Sequence, residues 1–167
     1  MKTIFYTFTL FPLKLAFLVL DIVFKFIPLS ILKFLVPFKI TKKNLSIAFP
    51  ELNDNELGLL AKESYKETLK SFYETLYAWS RSNKKIIYQT KKIKNRFLFN
   101  ASEQNNGLIV FALHNRSIDF MLRWISSQRS HTSLYKKIKL RPINNFVKKL
   151  REEENCKMVE TGIGGVK

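Results

Sequence analysis

The chain has 167 residues with 29 basic and 13 acidic side chains, a net charge of +16, and is 46% hydrophobic and 14% aromatic. That length suits one domain with a sizeable core, the apolar content excludes a disordered chain, and the charge calls for an anionic partner such as nucleic acid, acidic lipid or an acidic protein. Cys156 is the only cysteine, which excludes an intramolecular disulfide and fits a reducing compartment. No Cys/His cluster has metal-ligand spacing and no glycine-rich loop leads into a helix, so neither a metal nor a cofactor is expected.

Residues 4–38 are strongly apolar, but the longest charge-free run, Thr3 to Leu13, is shorter than the roughly 20 residues a transmembrane helix needs. Lys14, Asp21 and Lys25 are spaced seven and four apart and share one helical stripe, with Thr7 in line and an i,i+4 pair available between Asp21 and Lys25. The other faces are Phe, Leu, Ile and Val, so the segment is expected to be a membrane-associated helix with a narrow polar seam. Pro28 and Pro37 are expected to break the helical pattern beyond Lys25, leaving a second short apolar piece from Leu29 to Val36. No small-residue cleavage site comes after it, so a removed signal peptide is not expected.

Residues 39–52 form a basic collar and connector, and lysines beside an apolar anchor suit anionic headgroups on the cytoplasmic side. Asn53 followed by Glu56 is a capping-box start for a helix to about Ser80, with Leu57, Leu60, Ala61, Tyr65, Leu69, Phe72, Leu76 and Trp79 inward and Glu74 at the edge of that face. Residues 84–96 alternate basic and apolar positions as an edge strand does, without the recurring aromatics of a nucleic-acid stacking platform, so no nucleic-acid partner is expected.

The run Leu108 to Leu113, after the turn-prone Asn105-Asn106-Gly107, is expected to be a buried strand ending at His114. Asp119 lies five residues on, and five residues along one helix turn side chains about 140° apart, so the two meet only if Asn115-Arg116-Ser117 turns the chain. With Ser117 as cap, Asp119 falls in a first helical turn, where the helix dipole favours its charge. A neutral imidazole can take a hydroxyl proton while a carboxylate on its other nitrogen steadies the imidazolium. No nucleophile elbow accompanies the pair, so direct attack of a hydroxyl on an activated acyl donor is the simplest chemistry.

Ile118 to Ser126 is expected to be helical, with Phe120, Met121, Trp124 and Ile125 inward, and His131 a solvated loop residue. Ser133-Leu134-Tyr135 and Cys156 to Thr161 are strand candidates flanking a helix from Pro142 to about Glu154. The strand–helix alternation predicts a mainly parallel α/β layer behind the N-terminal segment.

Lys43-Asn44-Leu-Ser-Ile-Ala-Phe-Pro-Glu-Leu52, the helix holding Glu74, the His114-to-Asp119 box, Tyr135-Lys136 and Leu150-Arg151-Glu152 occur in the order found in one known family. On these segments the chain resembles the late acyltransferases of lipid A biosynthesis, the lauroyl and myristoyl transferases of Gram-negative bacteria. The resemblance implies an α/β fold with residues 1–38 as a hydrophobic membrane anchor and 39–167 as the acyltransferase domain, its C-terminal part missing. It implies an inner-membrane enzyme, active on the cytoplasmic side, that moves a fatty acyl chain from acyl carrier protein or another thioester to a hydroxyl of a lipid A precursor. His114 would be the general base and Asp119 its orienting carboxylate, with Lys136, Arg151 and Arg116 as candidate substrate binders. The box here reads Asn-Arg-Ser-Ile-Asp where most members have Gly-Asn-Trp-Glu or similar, and Lys136 replaces an arginine. Two alternatives stand beside this one: an acyltransferase of glycerol phosphate or lysophospholipid, and a non-catalytic membrane-surface protein.

Overall fold

A computed structural model describes residues 2–90, 92–100, 107–113, 116, 118–152 and 155–162. Its longest element is the helix Asp54–Ser80 (α5), and the helices before it pack along its length. In chain order come α1 (Lys2–Phe8), α2 (Leu13–Phe26), α3 (Leu29–Leu32), α4 (Val36–Ala48), α5, α6 (Asn83–Gln89), α7 (Arg96–Asn100), α8 (Ile118–Gln128), β1 (His131–Tyr135), α9 (Arg141–Glu152) and β2 (Cys156–Glu160).

The start of α5 is set locally. The Asn53 side chain accepts from the Asn55 and Glu56 amides, and the Glu56 carboxylate accepts from the Asn53 amide, which completes the expected capping box. The helix then runs without proline to Ser80. Its inward face differs in part from the expected one. Leu57, Ala61, Tyr77 and Ala78 are buried, but Phe72 is 61% exposed and Lys70 is buried in its neighbourhood. Helices α1, α2, α3, α4 and α8 all pack against α5, so its buried stripe follows their positions rather than one ideal face. Gly58 matters for one of them, since a Cβ there would lie 3.3 Å from a Leu29 methyl of α3.

The apolar N-terminus is not one helix. Pro12 ends the first turns and restarts the chain as α2, bent by 50° from α1, and among the described residues no single helix is long and apolar enough to cross a membrane. By length and composition the bent pair α1–α2 passes that test together. Pro28 precedes the short α3 and Pro37 lies in the first turn of α4, where its missing amide costs nothing, so the chain breaks at both as expected, while the expected connector is helical through Ala48. Phe24, Leu32, Phe38 and Ala61 bury one core between α2, α3, α4 and α5. The outer side of these helices stays apolar and exposed, as at Leu18, Ile22, Phe26 and Phe34.

A second core, Tyr77, Ala78 and Ile86 with Phe120 against it, joins α5, α6 and α8. The expected edge strand at 84–96 is instead α6, followed from Arg96 by α7. Its alternation is interrupted by Lys84-Lys85 and Ile86-Ile87 doublets, and Ile86 is fully buried on α6.

The sheet is small and parallel. β1 and β2 pair in register from His131 opposite Cys156 to Tyr135 opposite Glu160, with α9 as the crossover that parallel neighbours require. Asn155, in a left-handed conformation (φ 29°), turns the chain into β2 and donates from its side-chain amide to the Ser126 carbonyl. The chain is therefore α/β with helix predominating. The expected strand at 108–113 is a correction: residues 107–113 are irregular, with Phe111 91% and Leu113 85% exposed. A strand needs a ladder partner, and among the described residues only β1 and β2 pair.

Candidate active site

Asp119 lies in the first turn of α8, as the spacing predicts, and is 3% exposed. Its carboxylate is gripped by Arg151 of α9, whose Nε donates to Oδ1 at 2.8 Å and Nη2 to Oδ2 at 3.1 Å. This two-bond fork matches the flat guanidinium to the flat carboxylate and fixes Asp119 in orientation as well as position. His114 and the candidate cap Ser117 lie outside the described residues.

Arg116, between His114 and Asp119 in the sequence, reaches back to the N-terminal half. Its Nη2 donates to Glu67 Oε2 at 2.8 Å, and its guanidinium carbon stands 4.9 Å from the centre of the Phe17 ring of α2. Glu67 also accepts from Lys70 at 2.9 Å, and Lys70 in turn meets Asp21 at 2.6 Å. Lys66 reaches the same Asp21 oxygen at 3.1 Å and Glu63 at 2.7 Å. The Lys70 hydrogen bond, joined by Arg116 and opposed by burial, holds the Glu67 carboxyl below its ordinary pKa. Bonds from Lys70 and then Lys66 do the same for Asp21. The i,i+4 pair with Lys25 does not form, because the seam of α2 turns Asp21 toward the lysines of α5.

A second polar knot holds α1 to the end of α5. Arg81, 5% exposed, donates to the Ser80 hydroxyl and the Thr9 carbonyl, and lies 3.9 Å from the Tyr6 ring centre and 4.5 Å from that of Tyr77. Arg123 of α8 donates to the Arg81 carbonyl at 3.0 Å, so the helix carrying Asp119 is tied to the same knot. Lys136 is exposed just after β1. Glu74 is half-buried on α5.

His131 is not a solvated loop residue. It opens β1, and both ring nitrogens are buried. Burial pushes its imidazole below the ordinary value. Burial likewise pushes the Cys156 thiol up, which keeps it protonated and a poor nucleophile. Among the described residues no group of His, Cys, Asp and Glu is arranged to hold a metal ion.

Sequence spacing places Asp119 in the first turn of α8 but does not show its pairing with Arg151 of α9, 32 residues on. Sequence spacing does not single out Glu67 either. The i,i+3 spacing of Glu67 and Lys70 offers a local pair, and nothing in it points to Arg116. No curated protein matches the chain. The model of the bacterial lipid A biosynthesis acyltransferases matches residues 5–164, from α1 past the end of β2. The chain belongs to the bacterial lipid A biosynthesis acyltransferase family.

Proposed function

We propose that the chain transfers a fatty acyl group from acyl carrier protein, or another acyl thioester, to a hydroxyl of a lipid A precursor at the cytoplasmic face of a bacterial inner membrane. The family match over residues 5–164 carries this reading. It is supported by the placement of Asp119, a buried carboxylate braced at the start of α8, five residues after His114.

In this mechanism His114 accepts the proton of the acceptor hydroxyl, and the oxygen attacks the thioester carbonyl. The C–O bond forms, the C–S bond breaks, and the leaving thiolate takes the proton back from His114. Asp119 keeps a lone pair on each oxygen beyond those used by Arg151, enough to accept from the imidazole and hold its tautomer. Arg151 then serves the site through the carboxylate it grips, and the exposed Lys136 is the candidate contact for an acceptor phosphate. The exposed apolar side of α1 to α4 and the lysines of α4 suit an anionic bilayer surface.

The test incubates the purified chain with acyl-loaded acyl carrier protein and a lipid A precursor in anionic vesicles and weighs the lipid product. One added acyl mass is expected, absent in His114→Ala although that variant still sediments with the vesicles. Acylation of lysophosphatidate in place of the lipid A precursor would move the enzyme to the glycerolipid class. Vesicle binding with no acylation of either acceptor would leave a membrane-surface protein.

A further inference from the structure

Residues 107–113 are irregular, and Ile109, Phe111 and Leu113 are each more than 80% exposed. Arg116 is different: it is bonded to Glu67 and stacked near Phe17, two residues on separate helices. Those partners are themselves fixed. Glu67 is bonded to Lys70, and Lys70 is bonded to Asp21 and lies 5.8 Å from the same Phe17 ring. Phe17 therefore has a cation from α5 and a cation from the box beside one ring, and Glu67 stands between those cations.

We propose that Glu67 is a positioning residue, tethering the catalytic box to α5 and α2 through Arg116, so that Arg116 acts by holding the loop and not by binding substrate. The inference rests on the acyltransferase reading of the box. Arg116 lies two residues after His114 in the sequence and three before Asp119, which Arg151 fixes independently. Both members of the Arg116–Glu67 pair are 44% exposed, so the bond alone is weak; the second cation on Glu67 and the Phe17 ring strengthen it. A tether of this kind lowers the entropy of reaching the reactive geometry and so acts on turnover more than on substrate affinity.

Glu67→Gln, Arg116→Gln and the double variant are compared with the parent in the vesicle assay. The expected result is a fall in kcat of about threefold to tenfold in each single variant, with the KM for the lipid acceptor unchanged. The double variant is expected to be no slower than either single one, and Glu67→Asp to recover part of the loss. An acceptor KM raised by Arg116→Gln, with both constants untouched by Glu67→Gln, would assign Arg116 to the substrate and overturn the tether.

A second measurement does not depend on turnover. A nitroxide on Leu113→Cys, labelled selectively because Cys156 is buried, is expected to become more mobile in Glu67→Gln and Arg116→Gln. Identical spectra in all variants would sink the inference. The same mobility change in the variants of a parent chain that acylates nothing would instead overturn the acyltransferase reading and leave the tether standing.

Discussion

Asp119 and Arg151 are joined by two parallel hydrogen bonds across the α8–α9 contact, with the carboxylate side chain 4% and the guanidinium side chain 18% exposed. Removing one partner of such a pair strands a charge in a place that water hardly reaches. Asp119→Ala should therefore destabilise the chain by about 3 kcal/mol, whereas Asp119→Ala combined with Arg151→Met should cost less than the two single changes added together. Urea unfolding of the four proteins measures this coupling, and strict additivity would show that the fork contributes nothing. Activity lost in Asp119→Ala thus has two sources, and His114→Ala is the cleaner probe of the chemistry.

Phe38 is 1% exposed and closes the core that joins α4 to α5, its ring edge-on to Tyr65 at 6.4 Å. Truncation to alanine leaves a cavity that Phe24, Leu32 and Ala61 cannot fill without moving their helices. Phe38→Ala should cost about 3–5 kcal/mol, a large part of the stability of a chain this size, and Phe38→Leu clearly less. The check is the urea midpoint at constant slope. A loss under about 1 kcal/mol would mean that the N-terminal helices contribute little to the folded state.

The parts of the fold that sequence made legible are those decided by neighbours in the chain. Asn53 and Glu56 place the start of α5 because both halves of a capping box lie within one turn. Pro142 and the flanking β-formers place α9 between β1 and β2 for similar reasons. The failures are those decided across the fold. Leu108 to Leu113 has the composition of a strand, but strand formation depends on a partner that composition cannot supply. Asp21 has Lys25 one turn away and yet pairs with Lys66 and Lys70, because the packing of α2 on α5 outranks helical spacing. The candidate site divides the same way. The place of Asp119 in the first turn of α8 is legible from local spacing, while its fork with Arg151 and the bond from Arg116 to Glu67 span 32 and 49 residues.

His131 carries a pH dependence that can be signed. Its ring nitrogens are buried, and burial, opposed by a backbone hydrogen bond at Arg129, lowers its pKa from the ordinary 6.5. The unfolded chain then takes up a proton first, so between 6.5 and the lower folded value it binds more protons than the native state. Stability from this group is complete above 6.5, falls as pH drops through that window, and is flat below it. Ser130, Thr132, Glu152, Asn155, Cys156 and Lys157 line the depression beside it; Glu152 and Lys157 are the charged ones and oppose each other. Thermal midpoints between about pH 7.5 and about pH 5 should fall in the parent and fall less in His131→Phe. Parallel profiles would place the acid sensitivity elsewhere.

The outer stripe of α2 gives the membrane reading its sharpest test. Leu18, Ile22 and Phe26 follow one another at i,i+4 spacing and are 53%, 49% and 75% exposed, so serine at the first two positions removes apolar surface without disturbing the buried Ala16 and Phe24. Each half-exposed side chain entering the lipid interface contributes about 1 kcal/mol, so Leu18→Ser with Ile22→Ser should weaken partitioning into anionic vesicles about thirtyfold. The native fold should be retained, as read by an unchanged urea midpoint. Raising salt should weaken binding of parent and variant by the same factor, because the lysines of α4 are common to both. Binding that ignores the serines and disappears in salt would assign the contact to the basic surface and leave the apolar stripe outside the bilayer.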